Sequence, residues 1–226
     1  CVSLADTSSG ARYVVSASTV VDRKASQLYF AALLGQRPLV GGSLGLALRR
    51  LRTIAGPEEF DHLRIAHYPH SRALAVARCS PLLPLLTPLR RRGVAVLRVS
   101  EAAVTRAPDD WRAVRAAWVL TDTDHTASAE LQEALGTYPE LGATCAFEAS
   151  LSALAPHPLR GTSPLPLPAR SLSVLAFQNV RLALDALALP EVRTVMDRVR
   201  QRDASRQPLG WALMERVSLR EMLTPA

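Results

Sequence analysis

The alternation of apolar and polar positions predicts strands through the first two thirds of the chain. Residues 12–16 carry β-branched and aromatic side chains. Residues 63–68 alternate, with Leu63 and Ile65 on one side and Arg64 on the other. Turn formers at 69–71 join this run to 73–77, which predicts a hairpin. The other segments predicted as strands are 2–5, 94–99 and 118–120.

Apolar residues at helical spacing predict helices between these strands and in the tail. The first covers 25–33, with Asp22 as its N-cap and Gly35 as its end. A second is predicted over 42–51, because a leucine-rich stripe there lies opposite a group of arginines. The remaining predicted helices are 82–92, 109–118, 126–135, 172–187, a segment that starts at Pro190, and 209–223.

A change of composition divides the chain. Five prolines lie between Pro156 and Pro168, which predicts an extended connector. We therefore expect an α/β domain over 1–154, a Pro-rich connector over 155–170 and a helical C-terminal segment over 171–226. The expected fold class is α/β, with a mixed or antiparallel sheet flanked by helices. No internal repeat is evident in the sequence.

The formal net charge of +7 is carried almost wholly by arginine, since Lys24 is the single lysine among 27 basic residues. The net charge is +9 over residues 1–100, −6 over 101–150 and +4 over 151–226. Basic ends favour phosphate-bearing partners such as nucleic acid, whereas fields of opposite sign favour internal pairing or a protein partner. A GC-rich coding sequence also produces arginine in place of lysine, so the charge does not assign a function.

The cysteines point to a reducing compartment. Cys1, Cys79 and Cys145 are odd in number and widely spaced, which is neither a disulfide framework nor a zinc pattern. Such thiols are typical of the cytoplasm, where we expect this protein. No apolar run reaches the roughly 18 residues of a membrane-spanning helix, and no secretory signal is visible. Cys1 is either a processed N-terminal nucleophile or the boundary of a fragment.

Carboxylates suggest one candidate metal site. Asp122 and Asp124 follow a predicted strand, and Asp6 follows the first strand. If these two strands are neighbours, the three carboxylates meet and can bind Mg²⁺. That arrangement resembles the acidic site of RNase H-like nucleases. The alternative is that Asp6 stabilises a turn and Asp122 caps a helix.

Other chemistry-bearing residues are sparse. The arginine cluster Arg90, Arg91 and Arg92 can contact phosphate or simply stabilise a helix end. The glycines of 41–45 precede a predicted helix but lack a phosphate-loop pattern. His67 and His70 flank a predicted turn without a third ligand. Because no complete catalytic constellation is present, the sequence leaves enzymatic activity undecided.

The order of elements over residues 1–92 resembles the roadblock/LC7-type domains, which are similar to longin and profilin-like folds. The resemblance rests on segments 6–16, 22–25, 44–51, 63–68 and 74–77. It implies a non-enzymatic, dimerising scaffold for partner proteins. We therefore predict a non-catalytic regulatory or scaffolding protein with a protein partner, capable of homo-oligomerisation and without a cofactor. The alternative is a nucleic-acid-binding protein or a metal-dependent nuclease, with Mg²⁺ as cofactor in that case.

Overall fold

The structure is a computed structural model that describes residues 10–56, 60–122, 125–155, 164–203, 210–218 and 221. The strands within these ranges are β1 Arg12–Val20, β2 Ser43–Ala55, β3 His62–Tyr68, β4 Val94–Arg106, β5 Ala116–Asp122, β6 Thr144–Ala153, β7 Ser171–Phe177 and β8 Gly210–Arg216. The α-helices are α1 Arg23–Gln36, α2 Ser71–Arg78, α3 Leu82–Leu85, α4 Thr87–Gly93, α5 Thr126–Gly136, α6 Val180–Ala186 and α7 Pro190–Asp203.

The chain contains an internal structural repeat that its sequence does not reveal. Each half runs strand, helix, strand, strand, helical segment, strand: β1 to β4 form the first half and β5 to β8 the second. Within each half, the last strand pairs with the first, the first with the third and the third with the second. The expectation that the chain has no internal repeat is therefore wrong at the level of structure.

The two halves close into one barrel. Its strand order is β1-β3-β2-β8-β5-β7-β6-β4, and the junctions between the halves are the pairs β2–β8 and β4–β6. Every neighbouring pair of named strands is antiparallel. This confirms an antiparallel sheet with flanking helices. Residues 171–226 were expected to be helical, but they also supply β7 and β8 to this barrel.

Two predicted helices are strands in the structure. Segment 42–51 belongs to β2, where Leu46 and Leu48 both face the barrel interior. Segment 209–223 contains β8. Leucines and alanines fit helical spacing and strand alternation equally well over a short run, so the pairing partners decide between them. For the same reason, 172–176 is strand β7 and the helix that follows is only α6.

The predicted return strand of the hairpin is a helix. Residues 71–78 form α2, and the Nδ1 atom of His70 accepts a hydrogen bond from the amide of Ala73 at 3.0 Å. His70 is therefore a helix cap rather than a turn residue. Segment 109–118 was predicted as a helix, but it contains a short 3-10 helix at Trp111–Ala113 and then the start of β5.

Other predicted elements are confirmed. Helix α1 begins after Asp22, whose side chain accepts a hydrogen bond from the amide of Ala25 at 3.0 Å. Helix α5 covers the predicted 126–135, and α7 begins at Pro190. Segments 2–5 and 6–9 lie outside the described residues. No helix among the described residues is long and apolar enough to cross a membrane.

The sheet buries both of its faces. Side chains that alternate along all eight strands fill the barrel interior, and the largest of them are Leu46, Leu48, Leu63, Ile65, Phe147 and Leu172. The outward face of the second half is covered by α5, α6 and α7. The outward face of the first half is covered by α1, α2 and α4. Each half thus has a space between its sheet and its helices.

Helix α1 is held close to the start of β4 by a glycine. A Cβ atom on Gly93 would lie 2.3 Å from the Ser26 amide nitrogen and 2.8 Å from the Ala25 carbonyl carbon. These neighbours are backbone atoms, which cannot turn aside as the end of a side chain can. A Cβ atom on Gly35, within α1 itself, would meet no described atom beyond its own helix within 4 Å.

We expect Gly93→Ala to lower the free energy of unfolding by about 1–3 kcal/mol, because the added methyl group forces α1 away from the sheet. Gly35→Ala is the matched control. It should raise stability by about 0.5–1 kcal/mol, because alanine favours a helix interior. Urea unfolding followed by circular dichroism measures both. Equal stability of Gly93→Ala and the wild type would contradict this packing.

Candidate functional site

The outward face of the first half carries polar side chains in two rows. In one row, Arg49 on β2 lies opposite His62 on β3, which lies opposite Ser18 on β1. In the next row, Arg64 on β3 lies opposite Ser16 on β1. His62 and Arg64 are two residues apart on one strand, so both side chains point out of the barrel toward α1.

A cavity of about 320 Å³ lies between this face and α1. Its walls include Val20, Phe30, Ala47, Arg50, His62 and Arg64, and we call it the Arg64 pocket. The volume is at the lower end of the usual range for ligand pockets, about 300–1,000 Å³. The wall thus combines apolar surface with a few convergent polar groups, which is the usual composition of a small-molecule site.

Arg64 is a buried cation for which the described residues provide no carboxylate partner. Its residue is 6% exposed. The guanidinium carbon lies 3.4 Å from the centroid of the Phe30 ring, and NH1 donates a hydrogen bond to the Ser18 hydroxyl at 2.9 Å. Burial lowers the pKa of Arg64 to about 9, and the charge of Arg37 adds to this effect. The group therefore stays protonated at neutral pH.

Two of the other three arginines that line the pocket, Arg49 and Arg50 but not Arg23, form ion pairs among the described residues. Arg50 contacts Asp61 at 2.9 Å, and Arg49 pairs with Glu215 across the β2–β8 junction. Asp61 also accepts a hydrogen bond from the Val20 amide at 2.8 Å, which ties the loop before β3 to the end of β1. Among the described residues, no carboxylate forms such an ion pair with Arg64. The pocket therefore has a positive charge at its buried end.

His62 is neutral at neutral pH. Burial lowers the pKa of its imidazole to about 4, the charge of Arg64 lowers it further, and Asp61 opposes the shift. Its Nδ1 atom is buried and has no hydrogen-bond partner among the described residues. A neutral imidazole offers one donor and one acceptor nitrogen, so His62 can accept a proton from a bound molecule.

The corresponding space in the second half is filled. Ser173 has on β7 the place that Arg64 has on β3, since each is the third residue of a seven-residue strand. Two residues further along β7, Leu175 lies opposite Trp118 of β5. The Trp118 and Trp211 rings meet edge to face at 5.2 Å, and Trp118 contacts Phe177 at 4.7 Å. The two faces of the repeat therefore differ: one is a closed aromatic core, and the other encloses a charged cavity.

The second half has one polar cluster on its outward face. His125 Nδ1 lies 3.4 Å from Glu148 Oε1 and 3.4 Å from the Ser173 hydroxyl. Its Nε2 atom is buried without a partner among the described residues. Both neighbours contact the same ring nitrogen, so the cluster does not form a relay in which His125 bridges a hydroxyl and a carboxylate.

The acidic site predicted from the sequence is not tested by the structure. Asp122 ends β5, opposite Ser171 of β7, whereas Asp6 and Asp124 lie outside the described residues. The described residues contain no group of three or more His, Cys, Asp or Glu side chains that could hold a metal ion. A magnesium site of Asp6, Asp122 and Asp124 therefore stays a prediction.

The predicted phosphate contacts lie on α4, away from the Arg64 pocket. Arg90, Arg91 and Arg92 form its last turn, and Arg92 pairs with Asp22 at 2.8 Å. The glycine-rich stretch 41–45 leads into β2 instead of a helix, so it presents no helix N-terminus to an anion. His67 contacts the Tyr13 ring at 5.0 Å.

The pocket residues His62 and Arg64 were not candidates in the sequence. The signal that could have found them is the alternation of 63–68, which places Arg64 opposite the core side chains. A strand with one polar face is normally solvated on that face. Only the position of α1 shows that this face is covered.

Comparisons with protein-family models and with curated proteins find no match. Solved structures do match in fold. An anthrone oxidase-like protein has a TM-score of 0.53 at 12% identity, covering 93% of this chain and 92% of its own. A candidate chlorite dismutase has a TM-score of 0.50 at 8% identity, covering 95% and 98%. A heme-binding protein from Thermus thermophilus has a TM-score of 0.39 at 9% identity, covering 94% and 93%.

These neighbours correct two predictions. The roadblock/LC7 resemblance is wrong, because the chain has the barrel fold of the oxidase-like protein and the candidate chlorite dismutase. The prediction of a non-catalytic regulatory or scaffolding protein is contradicted, since these two neighbours are named for enzymes. The alternative of a nuclease depends on the acidic site of Asp6, Asp122 and Asp124, which the described residues do not test. At these identities the likeness concerns the fold.

The expectation of no cofactor is also contradicted, by the candidate chlorite dismutase among the neighbours in fold. The described residues nevertheless do not fit a heme. His125 has an unpartnered Nε2 atom, but Trp118, Leu131 and Trp211, each at most 2% exposed, fill the outward face of that half. The Arg64 pocket is small for a porphyrin, which is larger than a drug-sized ligand. We therefore derive no step through heme.

The lowered pKa of His62 makes stability depend on pH. Between about pH 4 and pH 6.5 the unfolded chain binds a proton that the folded imidazole does not, so stability falls as the pH falls through this window. We expect His62→Gln to remove up to about 3 kcal/mol of this pH-dependent change in the free energy of unfolding. Urea unfolding of both proteins at pH 7.5 and pH 4.5 measures it. A difference between them that stays constant with pH would contradict the burial of His62.

Proposed function

We propose that this chain is an oxidase-type enzyme that oxidises an organic substrate with dioxygen in the Arg64 pocket. The observation that carries the proposal is the pairing of a neutral imidazole, His62, with a buried guanidinium, Arg64, on one wall of a cavity. The fold shared with an anthrone oxidase-like protein supports the same class of reaction.

The first step is proton removal. A carbon between two aromatic rings, or beside a carbonyl group, is acidic enough to lose a proton to an imidazole once the resulting negative charge is stabilised. His62 accepts that proton. The positive charge of Arg64 stabilises the negative charge that spreads over the substrate, and its burial strengthens this interaction because little water screens it. Proton transfer also places a positive imidazolium beside a negative substrate, which raises the pKa of His62 in the complex.

The second step transfers electrons to dioxygen. The carbanion forms a bond to one oxygen atom of dioxygen, and the resulting peroxide takes up the proton from His62. Cleavage of the O–O bond, with loss of the remaining hydrogen from the same carbon, leaves a carbonyl group on the substrate and releases the other oxygen as water. A methylene group and dioxygen thus give a ketone and water, and His62 returns to its neutral form.

The residues around these two groups orient the substrate. Phe30 and Ala47 supply apolar surface. An ion pair with Asp61, the residue before β3, fixes the side chain of Arg50. Ser18, fully buried, accepts the hydrogen bond that fixes the Arg64 side chain. Because these contacts exist before any ligand is bound, the charged groups need little reorganisation during the reaction.

We expect His62→Gln to lower kcat for dioxygen consumption by about 10²–10⁴-fold with little change in KM, because glutamine keeps the shape but accepts no proton. The substrates tested are anthrone and a panel of naphthols, with an oxygen electrode as readout. His67→Gln, on the same strand but outside the Arg64 pocket, is the control and should keep wild-type activity.

The pH dependence provides a second readout of the same proposal. Because the pKa of His62 is lowered to about 4, kcat/KM should stay constant from neutral pH down to about pH 5 and fall only below that. An acid limb near pH 6.5 would assign the base to another histidine. The proposal is wrong if the folded wild-type protein consumes no dioxygen with any member of the panel, or if His62→Gln keeps its kcat.

A further inference from the structure

The charge on Arg64 is a structural cost that no described residue offsets. On burial, the Arg64 guanidinium loses the hydration of its charge. Among the described residues it gains only a hydrogen bond that it donates to Ser18 and a contact with the Phe30 ring. Arg37 increases the cost, since its NH1 atom is also buried without a partner among the described residues and its charge acts on Arg64. An anion at this end of the cavity would offset both charges.

The fold itself does not require a cation at this place. In the second half, the same position on the third strand is Ser173, which is uncharged and 2% exposed. The repeat therefore shows that this part of the barrel closes without a buried charge. The arginine of the first half is better explained by a bound group than by packing.

The geometry of Arg64 suits a planar anion. The Phe30 ring lies against one face of the guanidinium and NH1 donates to Ser18, so the remaining N–H groups lie in the guanidinium plane, parallel to that ring face. A carboxylate fits this arrangement because its two oxygens lie in one plane and accept two parallel hydrogen bonds. The apolar surface of Phe30, Val20 and Ala47 then faces the remainder of the ligand.

A doubly charged phosphate fits less well. The N-terminus of α1 borders the pocket through Ser26, but its end is already capped by the carboxylate of Asp22. Asp61 and Glu221 also line the cavity. These carboxylates lie around the cavity, whereas at its buried end the one cation among the described lining residues is Arg64, which matches a single negative charge.

We propose that the Arg64 pocket selects a substrate with one carboxylate on a one- or two-ring aromatic body, and that Arg64 is the residue that sets this specificity. The inference rests on the function proposed above for the same pocket. The carboxylate lies against the guanidinium at the buried end, and the rings lie between Phe30 and Ala47. Binding thus places the reactive carbon of the substrate on the side of His62.

Equilibrium binding without turnover tests the specificity. The probes are 2-naphthoate and 2-naphthalenemethanol, which share a ring system and differ in charge, and isothermal titration calorimetry is the readout. The wild type should bind the carboxylate at least about tenfold more tightly, the effect of hydrogen bonds to a charged group. Equal affinities would overturn the proposal, and this result needs no variant to fold.

Arg64→Leu removes the buried charge and should abolish the preference while raising the thermal midpoint of the protein without ligand. Arg64→Lys keeps the charge but loses the planar fork, so it should keep only part of the preference. Arg91→Leu, an exposed arginine of α4, is the matched control and should bind as the wild type does. An unchanged preference in Arg64→Leu would overturn the assignment.

Two further outcomes separate the inference from the proposed function. If 2-naphthoate binds through Arg64 but no compound of the class is oxidised, the specificity stands and the oxidase proposal fails. If the enzyme consumes dioxygen with neutral naphthols and shows no preference for carboxylates, the oxidase proposal stands and the specificity fails. Phenyl phosphate that binds more tightly than benzoate would overturn the choice of a carboxylate.

Discussion

The closure of the barrel is the constraint on which the rest of this structure depends. A single four-stranded half would have two unpaired edges and one bare apolar face. The pairs β2–β8 and β4–β6 remove all four edges at once, and the inner faces of the two halves bury each other. Leu48, Ile65 and Phe147 are fully buried inside. All chemistry therefore has to lie on the outward faces, under the helices, where the sheet leaves room for a ligand.

The two outward faces show how one topology can serve either stability or binding. In the second half, Trp118 and Trp211 fill the space between sheet and helices. In the first half, the same space holds Ser18, His62 and Arg64, and a cavity remains. A difference between repeats, rather than the fold they share, therefore locates the site.

Local features of the fold were predictable from the sequence. Asp22 and Pro190 mark helix starts by side-chain chemistry and by a fixed backbone angle, and both act within a few residues of their own position. The strands at 12–16 and 94–99 were predictable because β-branched residues favour extended backbone. The segment 44–51 was not, because its leucines satisfy a helical stripe and a strand alternation at once. Its actual state depends on pairing with β3, the next strand, and with β8, which lies near the other end of the chain.

The candidate site, like the fold, was predictable only where it depends on residues close together in the chain. The alternation around Leu63 and Ile65 was visible in the sequence, and it correctly separates the barrel interior from the face that carries Arg64. What the sequence could not show is that α1 covers that face, that Phe30 lies against the guanidinium, and that no described carboxylate pairs with it. Those facts depend on contacts between residues far apart in the chain. The sequence by itself thus determined where the backbone turns and which side of a strand is apolar, because these depend on near neighbours. Only the tertiary structure decided which polar face is buried, because burial depends on what packs against it.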